Sequence, residues 1–311
     1  MGFGKKAVAG GQKANVFNSA IVRQQTVSAY LFLLPALIFF VGFVVIPMVM
    51  CLVTSFFDYD MGKPMVFIGL KNYFEMFGDP VFIKSLKNTF ILVVVAVPAV
   101  TAFSLWISCV IYKMKAFKRS FFRCVFYLPV VTGTVAVAVV WKWMFNKYTG
   151  LLNYALNATG VLHENISWLG DERTALWCII LILFTTSIGQ PIVLYVAALG
   201  NVDPSLIDAA EVDGASPMQV FWHIKWPQIM PTTLYILVIT TINSFQCYAL
   251  IQLLTSGGPN YSTSTIMYYI YYEAFKLYRY GYGNAMGVVL AIIIALLSAI
   301  QFKVTGSGAT D

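Results

Sequence analysis

Charged residues make up only 11% of this 311-residue chain, and histidine occurs twice. So little charge excludes the usual solvated surface of a soluble protein of this length. The two histidines, His163 and His223, have no second ligand at metal-site spacing, so no metal centre is expected. The phosphate-cradling pattern G-x-x-x-x-G-K-[ST] is missing, and the chain is not expected to hydrolyse ATP itself. Cys51, Cys109, Cys124, Cys178 and Cys247 all fall in apolar stretches, without the pairing of a disulfide framework or a zinc site, and read as packing residues. No serine or cysteine has a plausible base beside it, which argues against a nucleophilic enzyme.

Apolar sequence is abundant: 59% of residues are hydrophobic and 16% aromatic. About 20 apolar residues are needed for a helix to cross a bilayer. Six segments qualify, at roughly 29–56, 90–112, 122–144, 175–199, 232–254 and 285–302. The expected fold class is an all-α integral membrane protein with six transmembrane helices. A polar tail, 1–28, carries Lys5, Lys6, Lys13 and Arg23; it is too long for a removable signal peptide and lacks a cleavage site. The net charge of +7 then serves orientation and anionic lipid rather than nucleic acid. Lysine and arginine divide almost evenly between the expected sides, so the dense run "KMKAFKRSFFR" decides. Lys113, Lys115, Lys118, Arg119 and Arg123 mark the loop between spans two and three as cytoplasmic, which places both termini, including the tail 305–311, inside.

The loop 200–231 should also be cytoplasmic, yet it holds a single basic residue, Lys225, against Asp203, Asp208, Glu211 and Asp213. Its local signals are strong. Asp203 with Pro204 starts a helix, and Gly214 can end it in the left-handed region. Ser216, Pro217 and Gln219 then open a second helix through a capping box, with Pro227 and Pro231 limiting it. Ala209 and Ala210 offer a small face flanked by Asp208 and Glu211, a docking surface with a negative rim. Such acidity would repel the phosphates that a helix–turn–helix DNA reader needs. A merely solvated amphipathic loop stays open on capping signals alone.

Spacing adds a resemblance. Asp208-Ala209-Ala210, then Gly214, Ile224 and Pro227, resemble the cytoplasmic signature of ABC importer permeases, written EAA, three residues, G, nine residues, I, one residue, L, P. Asp208 stands for the glutamate and Trp226 for the leucine. "LIQLLTSGGPNYST" at 250–263 and "FIGLKNYFEMFGDPVFIKSLKNT" at 67–89 resemble segments of the maltose and multiple-sugar permeases. The resemblance implies a type I ABC importer permease fold, a permease domain over 29–304, and residence in a bacterial cell membrane. It also implies that Asp208, Ala209, Ala210, Glu211, Asp213, Gly214, Ile224 and Pro227 couple to a cytosolic ATPase. Partners would be a second, homologous permease, two ATP-binding cassette subunits that hold ATP and Mg, and an extracytoplasmic solute-binding protein; outer loops 57–89 and 255–284 are candidates for docking the last. No cofactor is expected in this chain.

No Asp, Glu or His lies in any of the six spans, which argues against proton or ion coupling and for a neutral, polar solute. Span four contains "TTSIGQP", where Gly189 allows close approach and Pro191 removes a backbone donor; span five is rich in Thr, Asn and Ser. The resemblance places the cargo between these helices, at positions matching Thr185, Ile188, Gly189, Thr240, Asn243, Ser244 and Cys247, and Gln190 and Tyr248 join them as polar neighbours. Short neutral donors and acceptors with apolar walls suit a carbohydrate. Interhelical hydrogen bonding accounts for the same residue types without a ligand. A different polar solute such as a phosphorylated polyol, and a non-ABC carrier or channel, remain alternatives.

Overall fold

The computed structural model describes residues 9–161 and 164–306, so His163, Lys5, Lys6 and the last five residues lie outside the described residues. Two units divide between Val53 and Thr54. In the first, α1 (Ala9–Phe40), a π turn (Val41–Val45) and α2 (Ile46–Thr54) form a helical run that begins well inside the tail expected at 1–28. Between Arg23 and Thr54 its most apolar 18-residue window has a mean hydropathy of 2.9 and no buried residue, as suits a helix solvated by lipid.

The second unit opens with a two-stranded ribbon of two residues each, β1 (Phe57–Asp58) against β2 (Val66–Phe67), and is otherwise built of helices, as the expected all-α class requires. Helices α3 (Lys71–Gly78) and α4 (Pro80–Tyr112) follow; Asp79 caps α4, its carboxylate accepting from the Val81 N–H at 2.8 Å. The third expected span is bent. Helix α5 (Ala116–Val131) and α6 (Thr134–Met144) meet at 94° around Thr132 and Gly133, three residues after Pro129, which has no N–H to donate inside α5.

A short α7 (Leu151–Ala158) precedes α8 (Ala175–Ser187) and α9 (Gly189–Gly200), which together are long and apolar enough to cross a membrane. Helices α10 (Pro204–Val212) and α11 (Pro217–Val220) lead through a π turn, Phe221–Lys225, into α12 (Trp226–Phe245). Pro227 and Pro231 therefore do not end the helical run begun at Pro217; Pro227 stands in the first turn of α12, where no donor is needed, and Pro231 lies within α12, which stays helical to Phe245. The fifth expected span, 232–254, breaks at Gln246–Tyr248 before α13 (Ala249–Leu254). Its six Thr, Asn and Ser residues from Thr232 to Ser244 keep α12 below the hydropathy of the other crossings.

Finally α14 (Ile266–Tyr271) and α15 (Tyr280–Gly306) complete the unit. Among the described residues, four helices are long and apolar enough to cross a membrane, or five with the bent α5–α6 pair counted as one span. In the second unit, α4, α9 and α12 pack against one another, with α5 on α9 and α15 on α12. Close approach of α5 and α9 depends on Gly189: a Cβ there would lie 2.4 Å from the Phe126 carbonyl oxygen. Ser104 and Ser108 of α4 donate to the carbonyls of Ile188 and Ile192, at 3.3 and 3.2 Å, tying α4 to α9 by polar contacts where lipid supplies no hydrophobic drive between helices.

Candidate functional site

Where α8 gives way to α9, the chain turns polar side chains toward α12. A cavity of about 160 Å³ lies between them, with Thr186, Ser187 and Gln190 on one side and Thr240 and Asn243 on the other, and Val130, Ile236 and Ile239 as apolar wall. A second hollow of about 260 Å³ adjoins it through the shared Val130 and Thr186. It is walled by Thr132 and Thr134 at the α5–α6 corner and by Gln246, Cys247 and Tyr248 at the end of α12. Helix breaks make this second hollow, because the turn at Gln246–Tyr248 points successive side chains away from the α12 axis. One carbonyl freed there, that of Cys247, accepts from the Thr265 hydroxyl at 2.8 Å. Tyr248 also packs its ring on Tyr271, with centroids 4.6 Å apart, which holds the aromatic wall in place.

The residues singled out in the sequence thus divide. Gln190, Thr240 and Asn243 meet in the first cavity, and Cys247 and Tyr248 in the second. Thr185 turns back to the Ile182 carbonyl at 2.9 Å and lines neither, and Ile188 is buried in an apolar cluster with Val100, Ile192 and Val196. Gly189 is a packing contact with α5, and Ser244 is buried away from both hollows. Because α12 ends at Phe245, Cys247 and Tyr248 do not continue the helical face of Thr240 and Ser244. Sequence reasoning missed Thr186, Ser187 and Gln246, which sit inside the polar stretches it had picked out, and Thr132 and Thr134, whose signal was the Pro129–Gly133 break. Cys124, expected to pack, is exposed.

The acidic loop folds as its capping residues dictate. Asp203 accepts from the Ser205 N–H at 2.9 Å, and that amide and the Ser205 hydroxyl hold its carboxyl below the ordinary value. Gly214 sits at φ +80, and the Ala215 N–H closes the helix end on the Ala210 carbonyl at 2.9 Å. Ser216 and Gln219 exchange side-chain and backbone hydrogen bonds in a capping box. Ile207 and Ile224 turn inward onto a cluster of Tyr195, Leu199, Val202, Ile229 and Ile236, which fixes the loop against α9 and α12.

Asp208, Ala209, Glu211, Asp213 and Pro227 face outward, while Ala210 is half-buried. The exposed face carries more grease than the two alanines: Val212 is 87% exposed, Met218 65% and Trp222 53%. Exposed apolar side chains and carboxylates thus occur side by side in the sequence of this loop. His223 rests its Nδ1 3.0 Å from the Gln219 carbonyl, and among the described residues no group of His, Cys, Asp and Glu could hold a metal.

Residues 88–302 match the family described as binding-protein-dependent transport system inner membrane component. The chain belongs to this family. Among relatives, it is 35% identical to the Bacillus subtilis (strain 168) protein described as "Probable ABC transporter permease protein YurN", over 93% of this chain and 99% of the relative. It is 31% identical to the lactose transport system permease protein LacF of Rhizobium radiobacter, over 93% and 97%. Its fold matches a chain in the crystal structure of a bacterial alginate ABC transporter, in complex with an alginate pentasaccharide-bound periplasmic protein. The TM-score is 0.80 at 22% identity, covering 92% of this chain and 96% of that one. A member of this family with several apolar helices is accordingly a multi-pass membrane transport subunit.

Proposed function

We propose that the chain is the permease subunit of an ATP-driven ABC importer and forms half of a pathway for a sugar or oligosaccharide. The carrying observation is the hollow between α9 and α12, where Thr186, Ser187, Gln190, Thr240 and Asn243 face apolar Val130, Ile236 and Ile239 without a single ionisable group. Hydroxyls of a carbohydrate need such short neutral partners, and its C–H faces need such walls. The lactose permease relative supports the same solute class. In this reading the chain crosses the membrane six times, α12 with α13 supplying the crossing that its polarity disguises, and both termini are cytoplasmic in a bacterial inner membrane.

The surface of α10 and α11, with Asp208, Ala209, Ala210, Glu211, Asp213 and Gly214 braced by Ile224 and Pro227, docks an ATP-binding cassette subunit. Two such subunits bind ATP and Mg, a second permease completes the pathway, and an extracytoplasmic protein delivers the solute. The alternative of a phosphorylated polyol is disfavoured at this hollow by its lack of cationic groups. Reconstitution with the partner subunits and the binding protein in proteoliposomes tests the proposal. Uptake of a neutral oligosaccharide should require both internal ATP and the binding protein. A chain that purifies with no ATPase subunit and moves solute alone would instead be a carrier or channel.

A further inference from the structure

The basic residues after α4 do not all face the same way. Lys113, Lys115 and Lys118 are exposed, as side chains that merely mark a membrane side should be, whereas Arg119 and Arg123 are half-buried. They stand one helical turn apart on α5 and line a cavity of about 380 Å³ with Tyr112 of α4 and with Gly200 and Asn201 at the end of α9. No carboxylate lines it. Neither guanidinium has an ion pair among the described residues, where every ion pair lies in the 60–79 and 273–279 segments. Marking a membrane side with positive charge does not require two guanidiniums to line one hollow between helices.

The cavity is also linked to the solute hollow by a chain of shared lining residues. Arg123 lines a further cavity of about 490 Å³ with Gln190 and Leu194, and those two residues line the α9–α12 hollow. Three hollows with walls in common thus form a series, from the one at Thr240 and Asn243, by the one at Gln190 and Leu194, to the one at Arg123 and Arg119.

We propose that Arg119 and Arg123 form an oxyanion-binding site that takes a carboxylate or phosphate group at the end of this series. Two planar guanidinium forks a turn apart present paired N–H donors to the oxygens of one such group, and the Tyr112 hydroxyl and Asn201 amide add neutral donors. The same chemistry is offered by the anionic group of a carbohydrate leaving the hollows and by the phosphate of a membrane lipid. Phe117 and Phe121, 85% and 57% exposed on the neighbouring turns, are what a lipid would meet on its way in. The site stands apart from the sugar reading above, which concerns the uncharged hollow at Thr240 and Asn243.

The test uses the whole complex with its partner subunits in nanodiscs of phosphatidylcholine, with and without phosphatidylglycerol. Native mass spectrometry counts retained phosphatidylglycerol, and ATPase activity is titrated with galacturonate, inorganic phosphate and neutral galactose at constant ionic strength. R119Q/R123Q should weaken one of these anion responses by about tenfold, R119K/R123K should restore it in part, and galactose should act alike on all. The exposed-face control K113Q/K115Q/K118Q removes more charge and should change little. Loss of lipid retention identifies the lipid as source, and loss of the galacturonate or phosphate effect identifies the solute. Indifference of both responses to Arg119 and Arg123, or an equal loss in the lysine control, overturns the proposal. Binding-protein-stimulated ATPase in the variants verifies that the complex is assembled, and neutral-sugar uptake reports separately on the sugar reading.

Discussion

Tyr269 donates its hydroxyl to the Asp79 carboxylate at 2.6 Å, joining segments 190 residues apart in the chain. Tyr282 donates to the same Oδ2 at 3.0 Å, so the capping residue of α4 also holds α14 and α15. Arg279 lies over the Tyr282 ring at 4.3 Å and pairs with Glu273 and Glu75, which ties α3 to the segment between α14 and α15. Asp79→Asn keeps the size and a cap oxygen but removes the charge that both phenols seek. It should lower stability by about 1–3 kcal/mol, read as a lower thermal midpoint of the purified complex.

Burial would raise the Asp79 carboxyl, but hydrogen bonds from Tyr269, the Val81 amide and Tyr282 outweigh it and hold the group below its ordinary value. The stabilisation is therefore present above the unfolded value of about 3.9 and lost as pH falls through the depressed folded value. The stability gap between the native chain and D79N should be flat from neutrality down to about pH 5 and shrink below about pH 4. Glu273 runs the other way, since burial lifts its carboxyl despite Tyr269 and Arg279. Its folded state holds the proton longer, so its contribution falls as pH rises above the unfolded value of about 4.3, and E273Q should flatten that slope.

Gly189→Ala tests the packing of α9 on α5. The added methyl would meet the Phe126 carbonyl at 2.4 Å and Val130 Cγ2 at 2.8 Å, so backbone has to move. A loss of about 1–3 kcal/mol is expected in thermal unfolding. Because Val130 lines both hollows, the solute specificity of uptake should shift as well.

Asn243 and Ser244 are chain neighbours with opposite surroundings: Asn243 opens on the cavity and Ser244 is 1% exposed. Asn243→Ala should change uptake affinity or the order of preferred sugars, by about tenfold for a lost hydrogen bond pair. Ser244→Ala should leave specificity alone and alter only stability. Equal effects of the two on specificity would contradict this assignment.

Gly214 has open space around its Cα, so its constraint is conformational, at φ +80. A β-branched residue is strained there, while asparagine tolerates that region. Gly214→Val should depress solute uptake more than ATPase activity, and Gly214→Asn should retain both. Parallel uptake and phosphate-release assays on the reconstituted complex check the split.

Local rules in the sequence were enough for the acidic loop. Asp203-Pro204, Gly214 and Ser216-Pro217-x-Gln219 fix helix ends through bonds within a few residues, so α10, the turn and the capping box follow from the string alone. Apolar content likewise determined a helical membrane protein, because a chain so poor in charge has few other ways to satisfy its backbone.

What the string did not carry was direction. The 94° bend at Thr132–Gly133 and the break at Gln246–Tyr248 fall inside segments that the sequence presents as the unbroken spans 122–144 and 232–254. Only packing of α5, α9 and α12 decided that Thr186, Ser187 and Asn243 share a hollow while Thr185 and Ser244 do not. The same packing turned Arg119 and Arg123 inward from a run whose composition marked only a membrane side. Helix existence depends on neighbours in sequence, whereas the facing of a side chain depends on which helix lies opposite, and that is fixed only when distant segments meet.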